Sequence, residues 1–319
     1  MTNPVRNSVT APVTMPDLSV QLGSLSLKNP VMPASGTFGF GEEYGPFVPL
    51  ASLGAVVTKA VTLEPTPGNP PPRLAETPAG LLNAIGLQNP GLEVFLREKL
   101  PWLRDQGATV IINLAGGTAE EFARLVEALD GQPGVAALEL NVSCPNVHRG
   151  GLAFGTDPKV LSRLVGFLRP RTDLPLIVKL SPNVSDVALV ARAAAHAGAD
   201  ILSLINTLPG MAIDVARRRP VLGNVSGGLS GPAVKPVALL QVWKVAGAVD
   251  VPLIGMGGIG NAADAIEFLL AGAGAVAVGT ATFVNPRVCL EIREGIARYL
   301  SDNGFSRVSE IVGLARRGY

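Results

Sequence analysis

Residues 251–265 read VPLIGMGGIGNAADA, and residues 275–283 read AVAVGTATF. In both stretches a short apolar run ends in glycine, and a helix-forming sequence follows it. Continuous apolar runs of this length are typical of parallel strands that are buried on both faces. The two stretches therefore predict two strand–turn–helix units at the end of the chain.

The glycines of the first stretch, Gly255, Gly257 and Gly260, match the G-x-G-x-x-G dinucleotide fingerprint. An acidic residue is expected about 20 positions later, but that region is apolar, and the motif comes last in the chain. In a β/α barrel, by contrast, the turns after strands seven and eight commonly bind phosphate through backbone N–H groups. This predicts a phosphate site for flavin mononucleotide (FMN), pyridoxal phosphate or a sugar phosphate, although the glycines could also serve only as tight turns. The predicted phosphate-binding residues are Gly257, Gly258, Gly279 and Thr280.

The same strand–turn–helix pattern extends back through most of the chain. Helical patterns separate the predicted strands, at 91–106, 118–130, 157–169, 184–197, 232–248, 261–271 and 286–302. Eight such units in about 270 residues predict an α/β fold, a (β/α)8 TIM barrel, rather than an open doubly wound sheet. The predicted strands are 31–35, 55–61, 109–115, 137–144, 175–181, 200–207, 251–257 and 275–279.

Three segments lie outside the repeating pattern. Residues 18–29 alternate around Gly23 and predict a short N-terminal β-hairpin that closes the bottom of the barrel. Residues 1–17 are expected to be a flexible extension, which leaves 18–319 as a single barrel domain. Two long loops, 61–90 and 209–231, follow strands, so we expect them on the catalytic face.

The composition excludes several classes of function. Of 319 residues, 47% are hydrophobic and 16% are charged, which excludes disorder for most of the chain. A net charge of +1 gives no basic field for nucleic acid or for an anionic membrane. The N-terminus lacks a signal-peptide pattern, so a cytoplasmic location is expected. Low charge with abundant glycine and alanine also suggests a large interior and surfaces that are covered by something else.

The predicted strand ends carry a polar set of amides and lysines. Amides donate and accept hydrogen bonds, and so they suit a planar heterocycle with alternating C=O and N–H groups. A lysine among apolar strand residues, as at position 179, costs desolvation unless it meets an anionic or electron-rich partner. The set therefore predicts a bound cofactor. Its members are Lys59, Asn83, Asn113, Asn141, Lys179, Asn206 and Thr207.

The two cysteines have different predicted roles. Cys144 ends the fourth strand and begins a glycine-rich loop, which makes it a candidate for chemistry at a lid. Cys289 lies within the last helical pattern and is predicted to be a core residue. Without paired acidic residues at the strand tops, H-E-x-x-H or C-x-x-C, the sequence predicts no glycosidase chemistry and no metal site.

Several long motifs resemble the dihydroorotate dehydrogenase family. They include VMPASGTFGFGEEY at 31–44, LLNAIGLQNPG at 81–91, LELNVSCPNVHRGGLAFGTDP at 138–158, INTLPGMAID at 205–214 and GGLSGPAVKP at 227–236. The resemblance covers about residues 20–299. It implies oxidation of dihydroorotate to orotate with FMN, in pyrimidine synthesis.

The resemblance also implies a role for each matching residue. Cys144 would be the base that takes a proton from C5 of dihydroorotate, while the C6 hydride goes to the flavin. The substrate-binding residues would be Lys59, Asn83, Ala84, Ile85, Gly86, Leu87, Asn141, Asn206 and Thr207. The FMN-binding residues would be Ser35, Lys59, Ala60, Asn113, Asn141, Lys179, Ile205, Gly231, Gly257, Gly258, Gly279 and Thr280.

The cysteine in NVSCPN resembles class I enzymes, and the following loop resembles class IB. That class implies a homodimer that forms a heterotetramer with an electron-transfer subunit, which carries FAD and a [2Fe-2S] cluster and reduces NAD⁺. The alternatives are a fumarate-using class IA homodimer, a related flavin barrel that acts on another dihydropyrimidine such as dihydrouridine in tRNA, and a barrel without catalysis. The near-neutral charge disfavours tRNA.

Overall fold

A computed structural model describes residues 15–143 and 154–318. The strands are short and mostly apolar, as expected for a sheet whose two faces are both buried. In chain order they are β1 (Val20–Leu22), β2 (Leu25–Leu27), β3 (Val31–Pro33), β4 (Val56–Val57), β5 (Leu74–Thr77), β6 (Gly80–Asn83), β7 (Val110–Leu114), β8 (Val135–Asn141), β9 (Leu176–Lys179), β10 (Ile201–Leu204), β11 (Leu208–Gly210), β12 (Ile213–Asp214), β13 (Arg219–Pro220), β14 (Gly227–Ser230), β15 (Leu253–Met256) and β16 (Ala275–Val278).

Helices alternate with these strands, and several begin where the sequence provides a cap. Thr118 accepts a hydrogen bond from the Glu121 N–H, and the Asp157 carboxylate accepts two from the first turn of its helix. The helices are α1 (Leu92–Val94), continued by a π-helical turn (Phe95–Lys99), α2 (Leu100–Asp105), α3 (Ala119–Leu129), α4 (Pro158–Leu168), α5 (Val187–His196), α6 (Lys235–Ala246), α7 (Ala262–Ala271), α8 (Ala281–Val284) and α9 (Val288–Asp302).

Eight parallel strands form the central sheet, in the order β3-β16-β15-β10-β9-β8-β7-β4. Each strand therefore lies beside its sequence neighbour in this set. The Gly54 N–H donates to the carbonyl oxygen of Val31 at 2.8 Å, which links the two ends of the sheet. The structure confirms the predicted (β/α)8 barrel and all eight predicted strands, each within a few residues of its predicted ends.

The alternation of side chains along each strand divides the core in two. One set points out and packs against the helices; Ile112, Leu138 and Val178 belong to it. The other set, which includes Ile111 and Ile177, fills the lower interior of the barrel together with leucines of β1 and β2. The predicted N-terminal hairpin is confirmed, and its position against this interior closes the bottom of the barrel.

The two long loops meet in a small antiparallel sheet of order β11-β14-β6-β5. Strands β5 and β6 come from the first loop, and β11 and β14 come from the second. This sheet places Asn83 opposite Gly228, near the chain that leaves β10. Within the described ranges, no helix is long and apolar enough to cross a membrane.

Candidate functional site

The carboxyl ends of the barrel strands carry buried polar side chains. Alternation explains their placement, because residues two positions after the interior-facing Ile111, Ala137, Ile177 and Ile201 must also face inward. That rule places four polar residues in one layer above the apolar floor. They are Asn113, Glu139, Lys179 and Ser203, which are 0%, 2%, 6% and 0% exposed.

A hydrogen-bonded cluster joins three of these residues. Asn113 Nδ2 donates to Glu139 Oε2 at 2.6 Å, and Ser203 Oγ donates to Glu139 Oε1 at 2.6 Å. The main chain of Asn113 is fixed as well, because its N–H donates to Thr58 Oγ1 at 3.2 Å. Each carboxylate oxygen of Glu139 thus accepts a hydrogen bond from a side chain inside the barrel.

Two amide oxygens in this region are buried without a donor. No donor within the described parts of the chain reaches Asn113 Oδ1 or Asn141 Oδ1. A buried acceptor without a partner costs about 1–3 kcal/mol, so proteins rarely leave one unpaired. These two atoms are therefore available to the N–H groups of a bound molecule.

Two lysines approach the same region. Lys179 is the last residue of β9, and its register partners are Asn141 and Ser203. Lys59 lies two residues beyond β4 and is half-buried. Burial lowers the pKa of Lys59; Arg73 acts in the same direction, and Glu43 opposes it.

The small sheet above the barrel brings three predicted substrate residues close together. Asn83 Nδ2 donates to the Gly228 carbonyl at 3.2 Å. The Thr207 side chain lies directly against the α-carbon of Gly228, and a Cβ at that position would overlap it. Asn206 Oδ1 accepts the Thr207 N–H at 2.8 Å, which fixes the turn after β10. Two residues about 120 positions apart in sequence, Asn83 and Thr207, are thus joined through one glycine.

The predicted substrate loop after β6 has an irregular backbone. Gly86 (φ 75°) and Leu87 (φ 58°) both lie in the left-handed region. Asn69 holds the loop: its N–H donates to the Ile85 carbonyl at 3.0 Å, and its side chain donates to the Ala84 carbonyl at 3.1 Å. Ala84 itself is buried.

The glycines after β15 form a turn that other residues could not adopt without strain. Gly257 and Gly258 have φ of 125° and 77°. A Cβ on Gly258 would lie 2.7 Å from the backbone nitrogen of Lys235. The Gly260 N–H donates to the Asp264 carboxylate at 2.9 Å, and Lys235 Nζ donates to the same carboxylate at 2.7 Å. The contacts of Asp264 and Lys235 hold this tight turn in place. The backbone N–H groups of such a turn can bind a phosphate group.

The remaining predicted phosphate residues lie next to this turn. Gly279 follows β16, but a Cβ there would have ordinary contacts, so space alone does not require glycine. Thr280 Oγ1 donates to Ser230 Oγ at 2.7 Å. Gly231 (φ 92°) follows Ser230, and a Cβ on it would lie 2.7 Å from the α-carbon of Gly80.

Three other predicted cofactor residues also follow barrel strands. Ser35 lies two residues after β3 and is partly exposed. Ala60 and Ile205, which follow β4 and β10, are 5% and 4% exposed. The Ile205 N–H donates to the Met256 carbonyl at 2.9 Å, which ties the end of β10 to β15.

The predicted base, Cys144, lies outside the described residues. Its neighbour Ser143 is described, and Ser143 Oγ donates to the Lys179 carbonyl at 3.4 Å. Cys289 is buried at 2% exposure, and burial raises the pKa of its thiol to about 12. The prediction that Cys289 is a core residue is confirmed.

Glu139 and Ser203 are site residues that were not predicted from the sequence. Both could have been found by extending the alternation rule, since Glu139 lies two positions before Asn141 and Ser203 lies two after Ile201. Among the described residues there is no cluster of three histidine, cysteine or acidic side chains that could hold a metal ion.

The chain is similar to known proteins over most of its length. A family model described as dihydroorotate dehydrogenase matches residues 17–300. A protein from Desulforudis audaxviator is 58% identical over 94% of this chain and 97% of its own length. Proteins from Geotalea daltonii (57% identical, 94% of this chain and 99% of its own) and Pelobacter propionicus (58%, 93% and 98%) are similarly close. All three are named dihydroorotate dehydrogenase B (NAD(+)), catalytic subunit.

Proposed function

Because the chain belongs to the dihydroorotate dehydrogenase family, we propose that it oxidises dihydroorotate to orotate with FMN, in pyrimidine biosynthesis. The observation that carries the proposal is the polar layer at the carboxyl ends of the barrel strands. Two buried amide oxygens that receive no hydrogen bond from the described residues lie there, beside two lysines that face the same end of the barrel. A planar ring with N–H and C=O groups is the kind of ligand that such a layer can satisfy.

The residues present fit a flavin. Asn113 and Asn141 offer acceptors, Lys179 offers a cation, and the tight turn at Gly257 and Gly258 offers backbone N–H groups for a phosphate. Bound FMN would supply an acceptor for the two electrons that leave with the C6 hydrogen as a hydride, while the C5–C6 bond of the substrate becomes a double bond. The proposed FMN-binding residues are Ser35, Lys59, Ala60, Asn113, Asn141, Lys179, Ile205, Gly231, Gly257, Gly258, Gly279 and Thr280.

The substrate would be held between the barrel and the small sheet above it. Lys59 suits the carboxylate of dihydroorotate, although its burial lowers its pKa in the free protein; an anionic partner would reverse that effect. The amides of Asn83 and Asn206 suit its ring carbonyls and N–H groups. The full proposed set is Lys59, Asn83, Ala84, Ile85, Gly86, Leu87, Asn141, Asn206 and Thr207.

Cys144 is the proposed base for the proton on C5. A thiol is an effective base when its pKa lies near the working pH. The proposal rests on its place in the motif NVSCPN, directly after Ser143, whose hydroxyl contacts the end of β9. The buried Cys289 is unsuited to this role, because its raised pKa keeps the thiol protonated.

The names of the relatives include NAD(+) and the words catalytic subunit. By analogy, this chain would act in the cytoplasm as a homodimer within a heterotetramer. Its partner would be an iron–sulfur flavoprotein with FAD and a [2Fe-2S] cluster, which passes electrons to NAD⁺. The single domain of residues 18–319 would contain every FMN-binding residue.

The test combines a binding measurement and an assay of acceptors. The purified chain should carry a yellow flavin that is released as the mononucleotide. Dihydroorotate should bleach it in a single turnover, and Cys144→Ala should slow the bleaching at least about 100-fold while the flavin stays bound. NAD⁺ should support turnover only after a flavoprotein partner is added. Turnover by the chain alone with fumarate would reject the NAD⁺ assignment, and a protein that cannot bind FMN would reject the whole proposal.

A further inference from the structure

We propose that Glu139 is a positioning residue for the flavin, which acts by holding the side-chain oxygen of Asn113 towards the cofactor. The inference rests on the FMN binding proposed above. It concerns a residue that would not itself touch the ring, because both of its oxygens are already bonded inside the barrel.

The first observation is the cost of placing a carboxylate there. Glu139 is 2% exposed and lies directly above the apolar floor formed by residues such as Ala137 and Ile177. Burial of a carboxylate is costly unless hydrogen bonds satisfy it. Two donors at 2.6 Å, from Asn113 and Ser203, do so. The carboxylate is therefore fixed in one orientation.

The second observation is the orientation of the Asn113 amide. An amide side chain can present either its oxygen or its nitrogen, and the surrounding hydrogen bonds decide which. A carboxylate accepts hydrogen bonds, so the Asn113 nitrogen must face Glu139. The oxygen then faces away, and within residues 15–143 and 154–318 it is one of two buried side-chain acceptors that no donor reaches. Glu139 thus makes Asn113 an acceptor for a ring N–H.

The third observation is the charge of the neighbouring strand. Glu139 pairs in register with Ile177, and Lys179 follows two residues later on the same face. In the register of the two strands, Glu139 is therefore one inward-facing position before the buried Lys179. A buried negative charge there offsets part of the positive charge that Lys179 brings to the cofactor, and it opposes the gain of electrons by the ring.

The central experiment compares E139Q with the wild type, both as proteins stripped of FMN and titrated with FMN. Glutamine has the same shape but is uncharged and has only one acceptor oxygen, so its hydrogen bond to Asn113 is weaker than that of the carboxylate and competes with one to Ser203. We expect the FMN Kd of E139Q to rise at least about tenfold. We also expect the midpoint potential of the bound flavin to become more positive, because a buried negative charge is removed.

A double-mutant cycle separates positioning through Asn113 from a general effect on structure. In an N113A background, E139Q should weaken FMN binding by less than about threefold, because the side chain it orients is gone. Equal losses in both backgrounds would contradict the proposal. S203A is the matched control: it removes one donor but keeps the charge and the Asn113 bond, so its FMN Kd should change less than threefold.

Other outcomes are also informative. Wild-type protein that does not bind FMN would reject the proposed function itself. Wild-type binding together with unchanged affinity and potential in E139Q would reject only the role of Glu139. If E139Q does not fold by circular dichroism, E139D replaces it. E139D retains two acceptor oxygens on a shorter arm, and it must weaken FMN binding more than S203A does.

Discussion

Replacement of Gly258 by alanine tests the backbone turn that we assign to the phosphate. Gly258 has φ of 77°, and a Cβ there would lie 2.7 Å from Lys235 N and 2.8 Å from Lys235 Cα. Those atoms belong to the backbone at the start of α6, so they cannot rotate away. Gly304 provides a matched control, since it has φ of 74° and a Cβ there would meet nothing within 4 Å.

The comparison separates two costs. An L-residue in the left-handed region costs about 1–2 kcal/mol, which should be the whole effect of Gly304→Ala. Gly258→Ala has the same conformational cost and must also relieve an overlap with fixed atoms. Overpacking of this kind costs about 1–3 kcal/mol more. We therefore expect Gly258→Ala to lower the free energy of unfolding by about 2–5 kcal/mol.

Binding should separate the two variants further. The overlap moves the N–H groups of the turn, so the FMN Kd of Gly258→Ala should rise at least about tenfold, while Gly304→Ala binds as the wild type does. Urea denaturation of the flavin-free proteins measures stability, and quenching of FMN fluorescence measures affinity. Equal destabilisation of the two variants, or wild-type affinity in Gly258→Ala, would refute the contact with α6 and its role at the phosphate.

Three further predictions concern Cys289 and Asp200. In a Cys144→Ala protein, the buried Cys289 thiol should not react with Ellman's reagent at pH 8 until the chain is unfolded; rapid reaction of the native protein would contradict its burial. Because the pKa of Cys289 rises from 9.0 to about 12 on folding, the unfolded state releases this proton first as pH rises above 9. Ionisation of Cys289 should then lower the free energy of unfolding by about 1.4 kcal/mol for each pH unit above 9. In a Cys289→Ala protein, the free energy of unfolding should lack this contribution to its pH dependence. Asp200→Ala should lower the free energy of unfolding, measured by urea denaturation, by about 1–3 kcal/mol. The reason is that Asp200 pairs with Arg169 and accepts the Leu176 N–H at 2.8 Å. A decrease below about 0.5 kcal/mol would show that water replaces both bonds.

The fold could be predicted from the sequence because the barrel repeats one local pattern. Apolar runs such as 175–181 and capped helices such as the one after Asp157 are both defined by neighbouring residues. The ends of the strands were predicted less accurately than their existence. The predicted strand 55–61 forms a ladder only at Val56–Val57, with an isolated bridge at Val61, because the Lys59 N–H donates to the Gly39 carbonyl rather than to β7.

The candidate site could be predicted only in part. Alternation places Asn113 and Lys179 inside the barrel, and the same rule would have placed Glu139 there. The alternation of side chains cannot show which atom of the Asn113 amide receives no hydrogen bond from the described residues. That depends on a hydrogen bond between Asn113 and Glu139, which lie 26 residues apart on neighbouring strands. The inference about Glu139 therefore required the structure.

The small sheet above the barrel shows most clearly what local pattern cannot supply. Strand β6 and strand β14 have four residues each, and each is too short to be stable alone. Their pairing joins Asn83 to Gly228 across 145 residues, and Gly228 in turn accommodates Thr207 against its α-carbon. A residue other than glycine at position 228 would displace Thr207. The glycine-rich segment 227–231 is thus required by the approach of three chain segments, which explains why a long loop with little regular structure of its own can hold two substrate residues in place.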